Sequence, residues 1–519
     1  MSKIKILWAD DEIDLLKPHV MFLNSKGYEV ITASNGYDAI EIFDEQAGEI
    51  DVVFLDESMP GLTGLEVLPR IKERNASVPI VMITKNEAEQ VMEEAIGSQI
   101  SDYLIKPVNP NQILLTLKRL IDNKRLVSEK TAMDYQMEFR QIFMQITGGL
   151  NQNEWVDAYK KIVNWELRVD SNQAEVGDIL SQQKEQANVE FSKFVERNYL
   201  SWVDKNKEVG PVMSHSMMRK HIFPHVNNDV PTIVLLLDNL RYDQWKVIEP
   251  ILNEQFRTEN EGYFFSILPT ATQYSRNSIF AGMMPADIEK TFPDKWKNDS
   301  DEGGKNLSED FFLGKQLERV FRKDIKWDYF KVTNVTHGKE LNDNILRYLN
   351  NDFSVIVYNF IDMLSHARTE MEVLKELAGD ERAYRSLTRS WFLHSPLWSA
   401  IQKLQGRDVQ LFVTTDHGTI RVKSPSRVVG DRETTTNLRY KVGRNLQYDP
   451  KEVLAIRDPL AAGLPRPNVS SSFIFAKEDY FFLYPNNYNH FNNYFKNTFQ
   501  HGGISLEEMI CPVIRMRSK

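Results

Sequence analysis

Asp408-Val-Gln-Leu-Phe-Val-Thr-Thr-Asp-His-Gly418 is a short apolar run that closes on Asp416, His417 and Gly418. Its length and its Val, Leu and Phe content predict a strand buried on both faces, and hence a parallel sheet covered by helices. Such a strand delivers a carboxylate and an imidazole at its carboxyl end, where open α/β sheets bind ligands. Two further runs repeat the device: Val230-Pro-Thr-Ile-Val-Leu-Leu-Leu-Asp238, and Phe353-Ser-Val-Ile-Val-Tyr-Asn-Phe-Ile-Asp362 with His366 one helical turn later. One aspartate after a strand is more often a helix cap than a ligand. Three of them in the same half of the chain point to a shared metal-binding edge.

Outward from that half, 519 residues are too many for one core and suggest about three domains. A content of 42% hydrophobic and 26% charged residues is that of a soluble globular chain. The single cysteine, Cys511, excludes an intramolecular disulfide framework and fits a reducing cytoplasm. Asp10, Asp11 and Glu12 interrupt any signal-peptide core, and no apolar run approaches the roughly 20 residues that span a bilayer. A cytoplasmic protein that is not membrane-inserted is expected. Residues 1–123 hold 11 Lys/Arg and 21 Asp/Glu, whereas the remainder holds 52 of each sign, so the net charge of −10 sits at the front. Any basic surface must therefore be local.

That acidic front reads as a small doubly wound α/β domain over residues 1–123. Strands are expected at Lys3–Trp8, Asp51–Asp56, Val78–Ile83 and Ser101–Ile105, with amphipathic helices between them, such as residues 65–72 and 87–96. The strands end in Asp10-Asp11, in Asp56, at Thr84 and at Lys106. Three carboxylates beside a hydroxyl and a lysine make a hard-oxygen magnesium site next to donors for a phosphoryl group on Asp56. Singly, Thr84 reads as a strand-end cap and Lys106 as a solvated charge. Together the set resembles the receiver domain of bacterial response regulators. The resemblance implies Asp56 as phosphoacceptor and magnesium held by Asp10, Asp11, Asp56 and the Ser58 carbonyl. It further implies Thr84 and Lys106 as phosphoryl contacts, and Tyr103 as the switch aromatic.

Residues 124–206 carry no strand-like run. Tyr135, Phe139, Ile142, Phe143 and Ile146 recur at helical spacing until Gly148-Gly149 breaks the pattern. Trp155, Tyr159, Ile162, Trp165 and Val169 mark a second helix, and Ala174 to Trp202 a third. A three-helix bundle is expected, with its aromatic stripe as core rather than as a nucleic-acid stacking platform. Its role would be mechanical, passing a change in the front domain to the second half.

In the second half, residues 207–519, Tyr263-Phe-Phe-Ser-Ile-Leu-Pro-Thr-Ala-Thr272 reads as a strand entering a turn before a helix. Thr272 then sits near a helix amino terminus, where N–H groups meet anions and a bound cation lowers a hydroxyl pKa. The plainer reading of Thr272 is an N-cap. His501-Gly502-Gly503 lets backbone approach a site closely. In this order the motifs resemble the alkaline phosphatase superfamily, and within it the PglZ-type domain. The resemblance implies two zinc ions, one held by Asp238, Thr272, Asp416 and His417, the other by Asp362, His366 and His501. It also implies Thr272 as the catalytic nucleophile of a phosphodiesterase or phosphatase.

Arg421 to Arg444 contains seven basic residues (Arg421, Lys423, Arg427, Arg432, Arg439, Lys441, Arg444) against Asp431 and Glu433. The run reads either as a solvated loop or as a cradle for an anionic substrate, with Arg421, Lys423 and the nearer Arg276 as phosphate contacts. Sparse aromatics favour nucleotides or short oligonucleotides over duplex DNA. The full arrangement resembles the PorX-type response regulators of type IX secretion in Bacteroidetes. That implies a sensor histidine kinase, sigma-factor or secretion-system partners, and a phosphorylation-promoted homodimer. The fold class expected is therefore α/β multidomain: a receiver, a three-helix bundle and an alkaline-phosphatase-like α/β domain. A rival reading makes the last a catalytically idle zinc scaffold that recruits those partners.

Overall fold

The alternation of apolar strands and amphipathic helices at the front closes into a parallel five-stranded sheet. Its strands are β1 (Lys5–Ala9), β2 (Glu29–Ala33), β3 (Ile50–Asp56), β4 (Ile80–Thr84) and β5 (Asp102–Ile105), in the order β2-β1-β3-β4-β5. This is a computed structural model that describes residues 4–46, 49–75, 78–85, 100–169, 174–204, 210–321, 324–362, 380–431 and 434–519, with backbone alone at 121–134, 136, 174 and 175. The 87–96 stretch, His366 and Arg432 lie outside the described residues. The chain divides into two units, residues 1–135 and 136–519.

Period-two alternation builds both faces of the first sheet. Leu7, Val53 and Leu55 pack with Val67, Leu68 and Ile71 on one side, while Ile6, Trp8, Val52 and Phe54 pack with Leu23, Ile113 and Leu117 on the other. The strand order reverses at β1 and β3, which gathers Asp10 and Asp56 at the switch point. A capping box of Thr63 and Glu66 starts the Gly64–Arg74 helix. A side chain at Gly64 would put its Cβ 2.4 Å from the Asp56 carbonyl oxygen, so glycine lets this helix begin against the phosphoacceptor strand.

The second unit is built on a six-stranded sheet: β6 (Thr232–Leu237), β7 (Phe256–Phe265), β8 (Trp327–Val332), β9 (Phe353–Tyr358), β10 (Gln410–Thr414) and β11 (Ile510–Ser518). The order is β7-β11-β10-β6-β9-β8, with β10, β6, β9 and β8 parallel and β11 antiparallel to both of its neighbours. Strands β6, β9 and β10 are buried throughout, which is why they read as unbroken apolar runs. Register pairs Leu235 with Val413 and with Ile356, so all three strands end at one edge.

Three helices, Pro110–Gly148, Gln152–Arg168 and Ala174–Trp202, account for the middle segment. The first runs unbroken through residues 123 and 124. The aromatic stripe is core except at Phe143, which is exposed, and that core extends beyond the helices themselves. Phe191 meets Trp155 edge-on (centroids 5.3 Å apart) and lies tilted against Phe265 (6.0 Å), and Trp202 meets Phe265 edge-on at 5.7 Å. The Leu268 N–H donates to the Tyr199 hydroxyl at 2.8 Å. On the polar side, Glu507 is bound by Lys184 at 3.0 Å and by Asn188 Nδ2 at 3.1 Å. Residues 136–202 thus form a wall of the second α/β unit, and removing residues 124–205 would strip that wall rather than only cut a signal. No helix among the described residues is long and apolar enough to cross a membrane.

Candidate active site

Strands β6 and β10 place Asp238 and Asp416 one residue or two beyond their ends, and the parallel register brings the carboxylates together. Ligand-capable atoms of Asp238, Asp416 and His417 lie within 4.8 Å of one another, and all three residues are buried. Asp416 Oδ1 accepts the N–H groups of His417 (3.1 Å) and Asn239 (3.3 Å). The second arrives because Asn239 adopts φ 67°, a left-handed conformation that asparagine tolerates. Burial raises the Asp416 pKa, but Arg276, His417 and the N–H donors outweigh it and hold the carboxyl at about 2. Burial pushes the neighbouring Asp238 well above the carboxylate range.

Thr272 is the first residue of the Thr272–Ala281 helix, whose N-cap is Ala271. It is therefore not a cap. It is half-buried in a helix otherwise buried, and its Oγ1 lies 3.1 Å from His417 Nε2. His417 Nδ1 meets the Gly418 carbonyl at 3.2 Å, and His501 Nδ1 meets the Thr270 carbonyl at 3.1 Å. A carbonyl only accepts, so each Nδ1 carries a proton, and Nε2 is the ring atom that each histidine turns to the site. The two rings stack with centroids 4.3 Å apart.

A second group adjoins the first. His501 Nε2 lies 3.9 Å from Asp362 Oδ1, and Asn239 Nδ2 donates to the same oxygen at 3.4 Å. The Thr270 hydroxyl donates to the Gly503 carbonyl (2.9 Å) and accepts the Gly502 N–H (3.0 Å), which pins the His-Gly-Gly turn against the strand leading to Thr272. Gly503 would collide with Ala476 and Arg439 if it bore a side chain. The donor set, two imidazole lone pairs with three carboxylates, suits a metal, and buried Asp238 Oδ1 has no hydrogen-bond partner.

In the first unit, Asp10, Asp11 and Asp56 form another such group, with ligand atoms within 4.8 Å of one another. Lys106 Nζ bridges Asp10 Oδ2 and Asp56 Oδ1, at 3.0 Å each. Burial raises the Asp56 pKa to about 6, Lys106 opposes the shift and Asp10 adds to it. Thr84 is buried with its hydroxyl on Glu57, a partner the sequence did not suggest; Tyr103 and Ser58 are exposed.

The expected phosphate contacts are placed differently. Arg276 is wholly buried and paired with Asp238 and Asp416, so it is not a free phosphate ligand here. Arg421 and Lys423 line a cavity of about 460 Å³ against the Ala174–Trp202 helix, and Lys423 pairs with Glu185 at 2.5 Å; Thr272 is not among its lining residues. Arg439 is buried on Glu508. Lys441 is buried over the Tyr484 ring at 4.5 Å, where desolvation lowers its pKa to about 7. Arg444 pairs with Asp431 at 3.0 Å. A run of charge in sequence is thus spread over separate structural partners. Asn239, Glu309, Asn359 and Glu508 were missed, because nothing in local sequence marks a residue that supports a site from behind.

A receiver-like sheet with an aspartate and lysine at its switch point, and a larger sheet with clustered carboxylates and imidazoles, define a response regulator with an alkaline-phosphatase-like output. Comparison with family models agrees. Residues 6–118 match the response regulator receiver domain, residues 125–203 the PorX response regulator linker domain, and residues 217–516 the BREX system PglZ alkaline phosphatase-like domain. The last match spans more than half of the chain, which therefore belongs to the PglZ alkaline phosphatase-like family, in the arrangement of a PorX-type regulator. Among curated proteins, the chain is 33% identical over 120 residues to the transcriptional regulatory protein ResD of Bacillus subtilis (23% of this chain, 49% of ResD). It is 25% identical over 162 residues to a cyclic di-GMP phosphodiesterase of Thermotoga maritima (28% of this chain, 43% of that protein). The chain spans less than half the length of these relatives. Among solved structures, the chemotaxis protein CheY4 of Vibrio cholerae is 30% identical with a TM-score of 0.22, covering 23% of this chain and 99% of its own.

Proposed function

We propose that this chain is a cytoplasmic two-component response regulator in which phosphorylation of Asp56 controls a zinc-dependent phosphodiesterase. The proposed parts are a receiver (1–123), a helical connector (124–206) and a metallo-esterase (207–519). A sensor histidine kinase supplies the phosphoryl group, phosphorylation promotes a homodimer, and the output serves type IX secretion in Bacteroidetes. The substrates are nucleotide or short oligonucleotide phosphodiesters.

The observation that carries this reading is Thr272: a half-exposed hydroxyl at a helix start, 3.1 Å from His417 Nε2 at the rim of the Asp238–Asp416–His417 group. Asp238, Asp416, His417 and Thr272 would hold one zinc ion, and Asp362, His366 and His501 the other. When bound, the ions would supply Lewis-acid charge that lowers the Thr272 hydroxyl pKa and neutralises phosphoryl oxygens. Thr272 is the nucleophile on phosphorus, and the positive end of its helix dipole favours the anionic group it attacks. The Nδ1 bonds of His417 and His501 keep both rings in one tautomer and orientation. In the receiver, Lys106 stands beside the Asp56 oxygen that the phosphoryl group would occupy.

Zinc content and hydrolysis of bis-(p-nitrophenyl) phosphate and short oligonucleotides test the proposal, before and after acetyl phosphate. Thr272→Val is expected to keep zinc and lose turnover by at least 100-fold. The rival reading is the catalytically idle zinc scaffold. Stoichiometric zinc without turnover in parent or variant would decide for the scaffold.

A further inference from the structure

Arg276 lies four residues after Thr272, one turn along the same helix, so the element that presents the hydroxyl also carries a guanidinium beside the carboxylates. It is 0% exposed. Nε donates to Asp416 Oδ2 at 3.0 Å, Nη2 pairs with Asp238 Oδ2, and Nη1 donates to Asn359 Oδ1 at 3.3 Å. Glu309 stands behind, with Oε1 3.6 Å from Nη1. Lys331 at 2.8 Å and the Tyr329 hydroxyl hold its other oxygen.

A guanidinium is planar, with donors in a fixed fork, so it constrains two carboxylates at once in a way that an ammonium does not. Here the two come from different strands, β6 and β10. Each gives Oδ2 to the arginine. Asp416 Oδ1 is taken by backbone N–H groups, and Asp238 Oδ1 is left without a partner.

We infer that Arg276 is a positioning residue for the metal centre: it sets the spacing and rotation of Asp238 and Asp416, so that Asp238 Oδ1 and His417 Nε2 face a common cation. The inference rests on the metal-centre reading above and assigns to Arg276 a role other than substrate binding. Glu309, Lys331 and Tyr329 fix the arginine in turn.

The test is zinc affinity of the full chain, stripped with a chelator and titrated in competition with a chromophoric zinc ligand. Supporting residues of this kind change metal affinity by roughly 10–100-fold. Arg276→Met is expected to weaken zinc binding by that factor at unchanged stoichiometry. Arg276→Lys, which restores charge without the fork, should fall between variant and parent, and Glu309→Gln should weaken binding in the same direction. Circular dichroism reports folding; were Arg276→Met unfolded, Arg276→Lys and Glu309→Gln would carry the comparison. Folded arginine variants that bind zinc as tightly as the parent, or more tightly, overturn the inference, the latter by showing that the guanidinium competes with the ion. A parent that binds no divalent ion refutes the metal-centre reading itself.

Discussion

Arg439→Met separates a structural arginine from a substrate-binding one. Arg439 and Glu508 are both 0% exposed and meet through two bonds, Nε to Oε1 at 3.2 Å and Nη2 to Oε2 at 2.6 Å. Glu508 also accepts the Gly503 N–H at 2.9 Å and the Ser505 hydroxyl at 2.7 Å. Methionine fills most of the volume but leaves Glu508 buried without its counter-ion, a change that costs about 3–5 kcal/mol. With an unfolding entropy of about 2.1 cal/mol/K per residue, the unit of residues 136–519 has roughly 0.8 kcal/mol/K, so the thermal midpoint should fall by about 4–6 °C. Scanning calorimetry measures it. Adding Glu508→Gln should recover part of the loss, since no unpaired charge then remains. A surface phosphate contact would change stability by less than about 0.5 kcal/mol. A midpoint within 1 °C of the parent, with a KM for oligonucleotides raised tenfold, would refute the argument and return Arg439 to the substrate surface.

Asp56 and Lys441 each tie stability to pH. The folded Asp56 pKa of about 6 exceeds its ordinary 3.8, so its contribution is fully present below pH 4 and is lost as pH rises through 6. Asp56→Asn should therefore melt above the parent beyond pH 6, with a gap that closes towards pH 4 and narrows when magnesium is added; a gap independent of pH would contradict this. Lys441 is the opposite case: its folded pKa of about 7 lies below 10.5, so the parent should gain stability as pH rises from 7 towards 10.5. Lys441→Met should be the more stable protein at pH 7 and show no such rise, and a loss of several degrees at pH 7 would argue that the lysine is needed as a cation.

The central strands of both sheets were legible because buried parallel strands are written as continuous apolar runs and end abruptly in polar groups, whereas the half-exposed β2 and β8 and the antiparallel β11 were not named. Asp10, Asp56, Asp238 and Asp416 could be named for that reason, and a one-strand argument became a site only by repetition. Thr272 was half legible. Its place near a helix start followed from Pro269 and the change of pattern, but whether its hydroxyl capped the helix or faced His417 depended on which residue was the N-cap, a matter of one position. The middle helices were legible as helices, since their aromatic residues recur at the helical period. That Phe191 and Trp202 pack on Phe265 was not, because a buried stripe looks the same whether it faces another helix or a sheet.

Local features can be read from the residues alone: the period of most elements, the residue types at the central strand ends, and the order in which carboxylates, hydroxyl and imidazoles arrive. Pairing is settled by the fold. Seven basic residues between 421 and 444 read as one patch, yet Arg439 was drawn inward to Glu508, while Lys423 stays at the surface and pairs there with Glu185. Arg276, read as a phosphate contact, was drawn to Asp238 and Asp416. For the two buried arginines the reason is that burying a charge is expensive unless an opposite charge meets it, and the partner that satisfies this condition lies 69, 38 or 140 residues away along the chain. Such distances carry no periodicity, so folding alone selects among them.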